Sequence, residues 1–116
     1  SIQLNIGSGV YCNDGAVISC RGKIDIGENT LFGPGVKIFD NNHRFSREEG
    51  VSRECTAGCI TVGRSCWIAS DVVLLKGTDI GDNCVIGAGC IIRGKVPAGS
   101  LVTRSGEQTT RPIETR

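Results

Sequence analysis

Residues 62–89 read VGRSCW-IASDVV-LLKGTD-IGDNCV-IGAG when they are cut into groups of six. The first position of each group is a large aliphatic residue, the second is Gly or Ala in four of the five groups, and the fifth is Cys, Val or Thr. A period of six describes a coil with three flat sides and 18 residues per turn, in which each repeat buries its apolar face only against its neighbours. The sequence therefore predicts an all-β solenoid with triangular coils.

The period extends over most of the chain, which we predict to be a single domain spanning residues 1–116. Four coils are predicted, at residues 6–23, 26–43, 62–79 and 80–97. Ile24 and Asp25 are interpreted as a two-residue insertion between the first two coils. Residues 44–59 are polar and lack large residues at the inward positions, so they predict one long loop that protrudes after the second coil. Residues 98–116 show no period and are predicted to form a tail.

The sixth residue of each group is predicted to point outward, since inward and outward side chains alternate along a strand. Three outward columns result: Tyr11, Leu31, Trp67 and Val85; Val17, Lys37, Val73 and Ile91; and Lys23, His43, Asp79 and Pro97. The first two columns are mostly apolar, and exposed apolar surface of this extent usually marks an interface. Together with the triangular coil, this predicts a homotrimer with three-fold symmetry.

Composition excludes several classes of partner. Thirteen basic and twelve acidic residues give a net charge of +1, which provides no electrostatic case for binding nucleic acid. No apolar run approaches the roughly 20 residues that cross a bilayer, and no signal-peptide pattern is present at the start. The chain begins at Ser1 and contains no methionine, so the sequence leaves open where its natural N-terminus lies.

The seven cysteines are predicted to be packing residues in a reducing cytoplasm, because their number is odd and most follow the repeat. Cys66, Cys84 and Cys90 occupy small inward positions, Cys12 a large inward position, and Cys20 a turn position. Only Cys55 and Cys59 fall outside the repeat, and one such pair with a single histidine is a poor zinc site. We therefore predict no metal.

Departures from the repeat mark the candidate site. Asn13 and Arg93 replace turn residues, and the run from Ile38 to His43 disrupts its group of six directly before the long loop. His43 is the only histidine, and imidazole suits general-base catalysis near neutral pH. Spacing reveals no Ser-His-Asp or Cys-His arrangement, so it gives no support to a covalent mechanism.

Residues 60–70 and 80–89, with the repeat around them, resemble the left-handed parallel β-helix acyltransferases with hexapeptide repeats, such as the galactoside and maltose O-acetyltransferases and their capsule-modifying relatives. The resemblance covers residues 6 to about 100, and the left-handed coil is an implication of it. It also implies acetyl-CoA as acyl donor and a homotrimer with active sites between subunits.

The resemblance also implies roles for particular residues. His43, preceded by Asp40, Asn41 and Asn42, matches the family's Asp-x-x-His or Asn-His element, whose histidine deprotonates the acceptor hydroxyl. Asn13 in the Tyr-x-Asn context, together with Asn41, is implied to bind the acceptor. The implied coenzyme A contacts are Trp67, Ala69, Ser70, Ala88 and Arg93. Residues 103–113 depart from the family, because they lack its Gly-x-Pro-x-Lys or -Arg element.

The favoured function is acetyl transfer from acetyl-CoA to a hydroxyl of a sugar or polysaccharide precursor. Serine or an amino sugar as acceptor remains an alternative, as does a catalytically degenerate β-solenoid that only binds. The γ-type carbonic anhydrases share this helix but hold zinc with three histidines, and this chain has one. An ice-binding solenoid is disfavoured, because the outward columns show no regular threonine ladder.

Overall fold

The computed structural model describes residues 1–105 and 107–113, and most of them lie in short strands joined by tight turns. The strands are β1 (Gln3–Ile6), β2 (Tyr11–Cys12), β3 (Val17–Ser19), β4 (Lys23–Ile26), β5 (Leu31–Phe32), β6 (Lys37–Phe39), β7 (Asn41–Ser46), β8 (Gly50–Ala57), β9 (Cys59–Val62), β10 (Trp67–Ile68), β11 (Val73–Leu74), β12 (Asp79–Ile80), β13 (Val85–Ile86), β14 (Ile91–Ile92), β15 (Lys95–Val96), β16 (Ser100–Ser105) and β17 (Glu107–Pro112).

The strands form three parallel sheets that are the sides of a triangular solenoid. The first sheet is β1-β4-β9-β12-β15, the second is β2-β5-β10-β13-β16, and the third is β3-β6-β11-β14. β17 adds antiparallel to the edge of the second sheet, and β7 and β8 form a separate antiparallel hairpin. We call the turn from the first to the second sheet the first corner, the next turn the second corner, and the turn back to the first sheet the third corner.

Large apolar residues stack inside the solenoid from coil to coil. In the third sheet Ile38, Leu74 and Ile92 lie in register, and each is 2% exposed or less. Cys66, Cys84 and Cys90 are buried in the same core, and burial raises the pKa of the Cys66 thiol. The prediction of packing cysteines is confirmed for these three.

The corners are close-packed and carry the backbone ladder from coil to coil. At the first corner the Ser65 N–H donates to the Glu28 carbonyl and the Asn83 N–H to the Arg64 carbonyl, at 2.8 and 2.9 Å. A methyl group added to Gly27 would lie 2.5 Å from the Arg64 backbone nitrogen. At this corner the second position of the repeat is therefore glycine, because the next coil's backbone occupies the space of a side chain.

The two extra residues predicted at Ile24 and Asp25 are confirmed, because the paired residues Ile6 and Ile26 are 20 positions apart whereas Val62 and Ile80 are 18 apart. They lengthen β4, in which Ile24 is buried and pairs with Ile60. The predicted tail is wrong, because residues beyond 97 continue the solenoid: Val102, which is fully buried, pairs with Ile86. The period faded because Ile92 and Val96 are four residues apart instead of six. Of this tail, residue 106 and residues 114–116 lie outside the described residues.

The protruding loop after the second coil is a hairpin that starts at Asn41 and ends at Ala57, rather than an irregular excursion over 44–59. His43 therefore lies on β7 and not in the third outward column. The first sheet instead aligns Asp25, Thr61, Asp79 and Lys95. The first two outward columns are confirmed by register: Tyr11-Leu31-Trp67-Val85 and Val17-Lys37-Val73-Ile91.

Two cysteines differ from their predicted environments. Cys12 is inward-facing by register with Phe32, yet it is exposed because β2 is the outermost strand of its sheet. Cys20 is partly buried against the core rather than in a free turn, and its thiol donates to the Gln3 carbonyl at 3.2 Å.

Replacing Gly27 by alanine should destabilise the solenoid by about 1–3 kcal/mol, because the added methyl group overpacks the first corner. Gly87 is the matched control, since it has the same place in the repeat but its nearest clash is a carbonyl oxygen at 3.1 Å. Urea unfolding of both variants measures the difference. Equal midpoints would contradict the close stacking at Gly27.

Candidate active site

The hairpin β7–β8 leaves the solenoid at the third corner of the second coil, and its base is closed on both sides. The Gly58 N–H donates to the Asp40 carbonyl at 2.8 Å, which joins the residues where the chain leaves and returns. From the next coil, the Lys76 Nζ donates to the Thr56 Oγ1 at 3.0 Å, and its alkyl chain lies over Gly58. The base of the hairpin is thus fixed to the coils below and above it.

The side chain of Asp40 joins this base to the preceding coil. Its carboxylate is fully buried and accepts the N–H groups of Arg21 and Gly22, at 2.7 and 2.8 Å, from the third corner of the first coil. Burial alone would raise the pKa of Asp40, but hydrogen bonds from the Asn41 amide and from these two backbone groups outweigh it and lower the pKa below its ordinary value of 3.8. The carboxylate therefore stays charged and holds the corner.

His43 lies three residues after Asp40 and is exposed on β7. Its Nδ1 lies 3.7 Å from the Sγ of Cys55, the residue directly opposite on β8. The side chain lines a groove of about 340 Å³ together with Asn42, Arg44, Phe45 and Thr56. The only histidine of the chain is thus presented at an open groove, on a hairpin with a rigid base.

The two asparagines predicted to bind the acceptor have different environments. Asn41 is half-buried, and its side-chain amide donates to the Ser19 carbonyl and to the Asp40 carboxylate, at 3.2 and 3.0 Å. Its amide nitrogen is therefore engaged in the base of the hairpin. Asn13 follows β2 at the second corner, and its Oδ1 accepts the Asp14 N–H at 2.7 Å.

Four of the five predicted coenzyme A contacts lie on the second sheet and the second corner. Trp67 points outward from β10 and is 55% exposed. Ala69 and Ser70 follow β10, and the Ser70 carbonyl accepts the Gly89 N–H at 3.0 Å, which places Ala88 one coil above Ser70. The Ala69 N–H is occupied, because it donates to the Ile86 carbonyl at 2.9 Å.

Arg93, the fifth predicted contact, follows β14 and is exposed at the third corner, two coils beyond the base of the hairpin. At about 4.8 Å per coil this is roughly 10 Å along the axis. The predicted residues therefore form two groups: His43, Asn41 and Arg93 at the third corner, and the rest at the second sheet and second corner. One side of the prism, the third sheet, separates the groups.

Sequence reasoning missed two residues near these groups. Cys55 was set aside as a stray cysteine, because its contact with His43 depends on a hairpin register that spacing does not reveal. Arg104 stands above Gly89 at the second corner, where its Nη1 lies 3.4 Å from the Gly89 carbonyl. The sequence pattern did not indicate Arg104, because the repeat shortens between Ile92 and Val96 and the positions after it could not be assigned to a corner.

Among the described residues, no group of three or more His, Cys, Asp or Glu side chains could hold a metal ion. In the same part of the chain, no helix is long and apolar enough to span a membrane.

Comparison with known proteins supports the assignment of the repeat. Residues 59–94 match the family model "Bacterial transferase hexapeptide (six repeats)". The galactoside O-acetyltransferase of Escherichia coli K12 is 36% identical over 114 residues, which are 98% of this chain and 56% of that protein.

Solved structures confirm the left-handed parallel β-helix. A maltose O-acetyltransferase from Clostridium difficile superposes with a TM-score of 0.84 at 25% identity, over 97% of this chain and 60% of that one. A hexapeptide-repeat acetyltransferase from Vibrio cholerae, solved with acetyl coenzyme A, gives 0.87 at 24% identity, over 97% and 61%. The chain thus spans little more than half the length of these three proteins.

Asp40→Asn should lower the free energy of unfolding by about 2 kcal/mol at pH 7, since an amide cannot accept both backbone N–H groups as a carboxylate does. Because the folded pKa of Asp40 is depressed, its contribution is complete above about pH 4 and is lost as the pH falls through the folded pKa. The difference between wild type and variant, measured by urea unfolding, should therefore shrink between pH 7 and pH 3.

The exposed Asp79, on the first sheet, provides the control, and Asp79→Asn should change stability by less than about 0.5 kcal/mol. A difference for Asp40→Asn that stays constant with pH would show that the charge of Asp40 is not what holds the corner.

Proposed function

The chain belongs to the hexapeptide-repeat transferase family, and on that premise we propose that it transfers an acetyl group from acetyl-CoA to a hydroxyl of a sugar or polysaccharide precursor. The observation that carries the proposal is the placement of His43. The only imidazole of the chain is exposed over a groove, on a hairpin whose base is fixed by Asp40 and Lys76. The near full-length alignment of this chain with a galactoside O-acetyltransferase supports the reaction class.

His43 acts as the general base in this proposal. Its imidazole takes the proton of the acceptor hydroxyl while the oxygen attacks the thioester carbonyl, which gives a tetrahedral oxyanion. Collapse of that intermediate forms the ester and expels the coenzyme A thiolate, which then receives the proton from the imidazolium. A general base typically contributes about 100- to 10,000-fold in rate, and holding the two substrates together contributes much of the rest.

A backbone N–H at the second corner would stabilise the oxyanion, an effect typically worth a few kcal/mol. The choice lies between Ala69 and Ser70. The Ala69 N–H already donates to Ile86, whereas no hydrogen bond from the Ser70 N–H occurs within residues 1–105 and 107–113. We therefore assign the role to Ser70.

A homotrimer with active sites between subunits would bring the two groups of predicted residues together. Packing the third corner of one subunit beside the second corner of another would place His43 near Trp67 and Ser70. The exposed column supports this assembly, since Tyr11, Leu31 and Trp67 are 57, 48 and 55% exposed in the single chain. In such an assembly Asn13 and Asn41 would contact the acceptor, and Ala88 and Arg93 coenzyme A.

The cytoplasm remains our expected location. The support is the set of seven free thiols, a state that a reducing compartment maintains.

Trp67→Glu should convert the trimer into monomers or abolish binding of acetyl-CoA, because it places a charge in the apolar column. Sedimentation velocity at micromolar concentration and calorimetry with acetyl-CoA measure the two effects. Thr61→Glu, on the polar outward column of the first sheet, is the matched control and should behave as wild type. A monomeric wild type would refute the assembly outright.

His43→Ala should reduce acetyl transfer by at least about 100-fold, while folding, assembly and acetyl-CoA binding persist, since the exposed side chain leaves no core cavity. Thiol release over a panel of sugars measures turnover. Arg47→Ala, in the turn of the same hairpin, should retain activity. If His43→Ala keeps more than about a tenth of the wild-type rate, the base is misassigned.

A further inference from the structure

Cys55 and His43 are directly opposed in the antiparallel hairpin, so their side chains share one face. The Sγ of Cys55 lies 3.7 Å from Nδ1 of His43, within hydrogen-bonding range for sulfur. Within residues 1–105 and 107–113, this is the only hydrogen-bonding contact of the imidazole. The contact therefore bears directly on which ring nitrogen carries the proton.

The base of the hairpin holds His43 and Cys55 opposite each other. Thr56, the next residue on β8, accepts the hydrogen bond from Lys76, and it pairs with Asn42 in the ladder. Beyond His43 the register breaks: the next pair is Phe45 with Val51, so β8 uses four residues where β7 uses two. Such an irregularity reorients nearby side chains. The ladder therefore holds the thiol and the imidazole together on the side of the base, and the extra residues of β8 lie on the side of the tip.

A neutral imidazole has one N–H, and the hydrogen bond at one nitrogen determines the role of the other. We propose that Cys55 is the positioning residue for His43: its sulfur accepts the Nδ1–H, which keeps the Nε2 lone pair free and directed into the groove. The proposal rests on the proposed function, in which His43 is the general base. Cys55 itself forms no bond to the acyl group in this scheme.

The tautomer can be measured without any assay of activity. Because the chain has a single histidine, nitrogen-15 NMR of residues 1–116 reports one imidazole. In the neutral ring we expect the Nδ1–H tautomer in the wild type, its replacement by Nε2–H in Cys55→Ala, and its retention in Cys55→Ser, whose hydroxyl can also accept. Cys59→Ala removes an exposed thiol four residues away and should leave the spectrum unchanged.

The kinetic measurement separates positioning from binding. Cys55→Ala should lower kcat about tenfold, a part of the contribution of a general base, with the KM for acetyl-CoA unchanged. Cys55→Ser should recover most of that rate. Thermal unfolding of each variant shows whether the hairpin and the solenoid stay folded.

The outcomes are distinct. An Nε2–H tautomer in the wild type, or an unchanged tautomer in Cys55→Ala, would overturn the role of Cys55. An acetyl group on Cys55, detected by mass spectrometry after incubation with acetyl-CoA, would also overturn it, because the thiol would then be a nucleophile. If the tautomer responds as expected but His43→Ala remains active, the proposed function fails while the contact stands.

Discussion

The backbone ladder along the solenoid axis is the constraint on which the rest of this structure depends. Each coil must place its hydrogen-bonding groups over those of the coil before it, at a spacing of about 4.8 Å. Stacking this close leaves no space for a side chain where Gly27 meets Arg64. It also means that an inserted segment can leave only at a corner and must return in register. The hairpin meets this condition, because Asp40 and Gly58 are hydrogen-bonded to each other where it leaves and returns.

The same constraint explains which parts of the fold the sequence predicted. Residues such as Ile68, Leu74 and Ile80 are repeated because each must fill an equivalent place, so the inward stacks and two outward columns could be identified from spacing alone. The error at the tail arose where the chain changes the number of residues per side without breaking the ladder, because the fourth coil shortens between Ile92 and Val96. A search for a fixed period of six residues misses such changes. The hydrogen bonds between coils depend on which residues are paired and not on how many residues form each side.

The candidate site was only partly predictable, for a different physical reason. His43 could be found because it is the only histidine and interrupts the repeat. Its neighbours could not, since β7 and β8 pair through a register that is set by the turn and by the irregularity beside His43. Asp40 likewise seemed part of a motif around His43, whereas its carboxylate binds Arg21 and Gly22 of the preceding coil. Contacts between coils depend on stacking, which the order of residues within one coil does not specify.

The solenoid and the hairpin therefore have separate physical roles. The solenoid is rigid and repetitive, and its corners recur at a fixed spacing along the axis. The hairpin lies outside the repeat and is free to carry polar and titratable side chains such as His43 and Cys55 that the close-packed core would exclude. The buried carboxylate of Asp40, which is hydrogen-bonded to the preceding coil, limits the motion of the hairpin's base. A fold whose repeat contains no histidine can thus place one imidazole accurately, because the hairpin carries it.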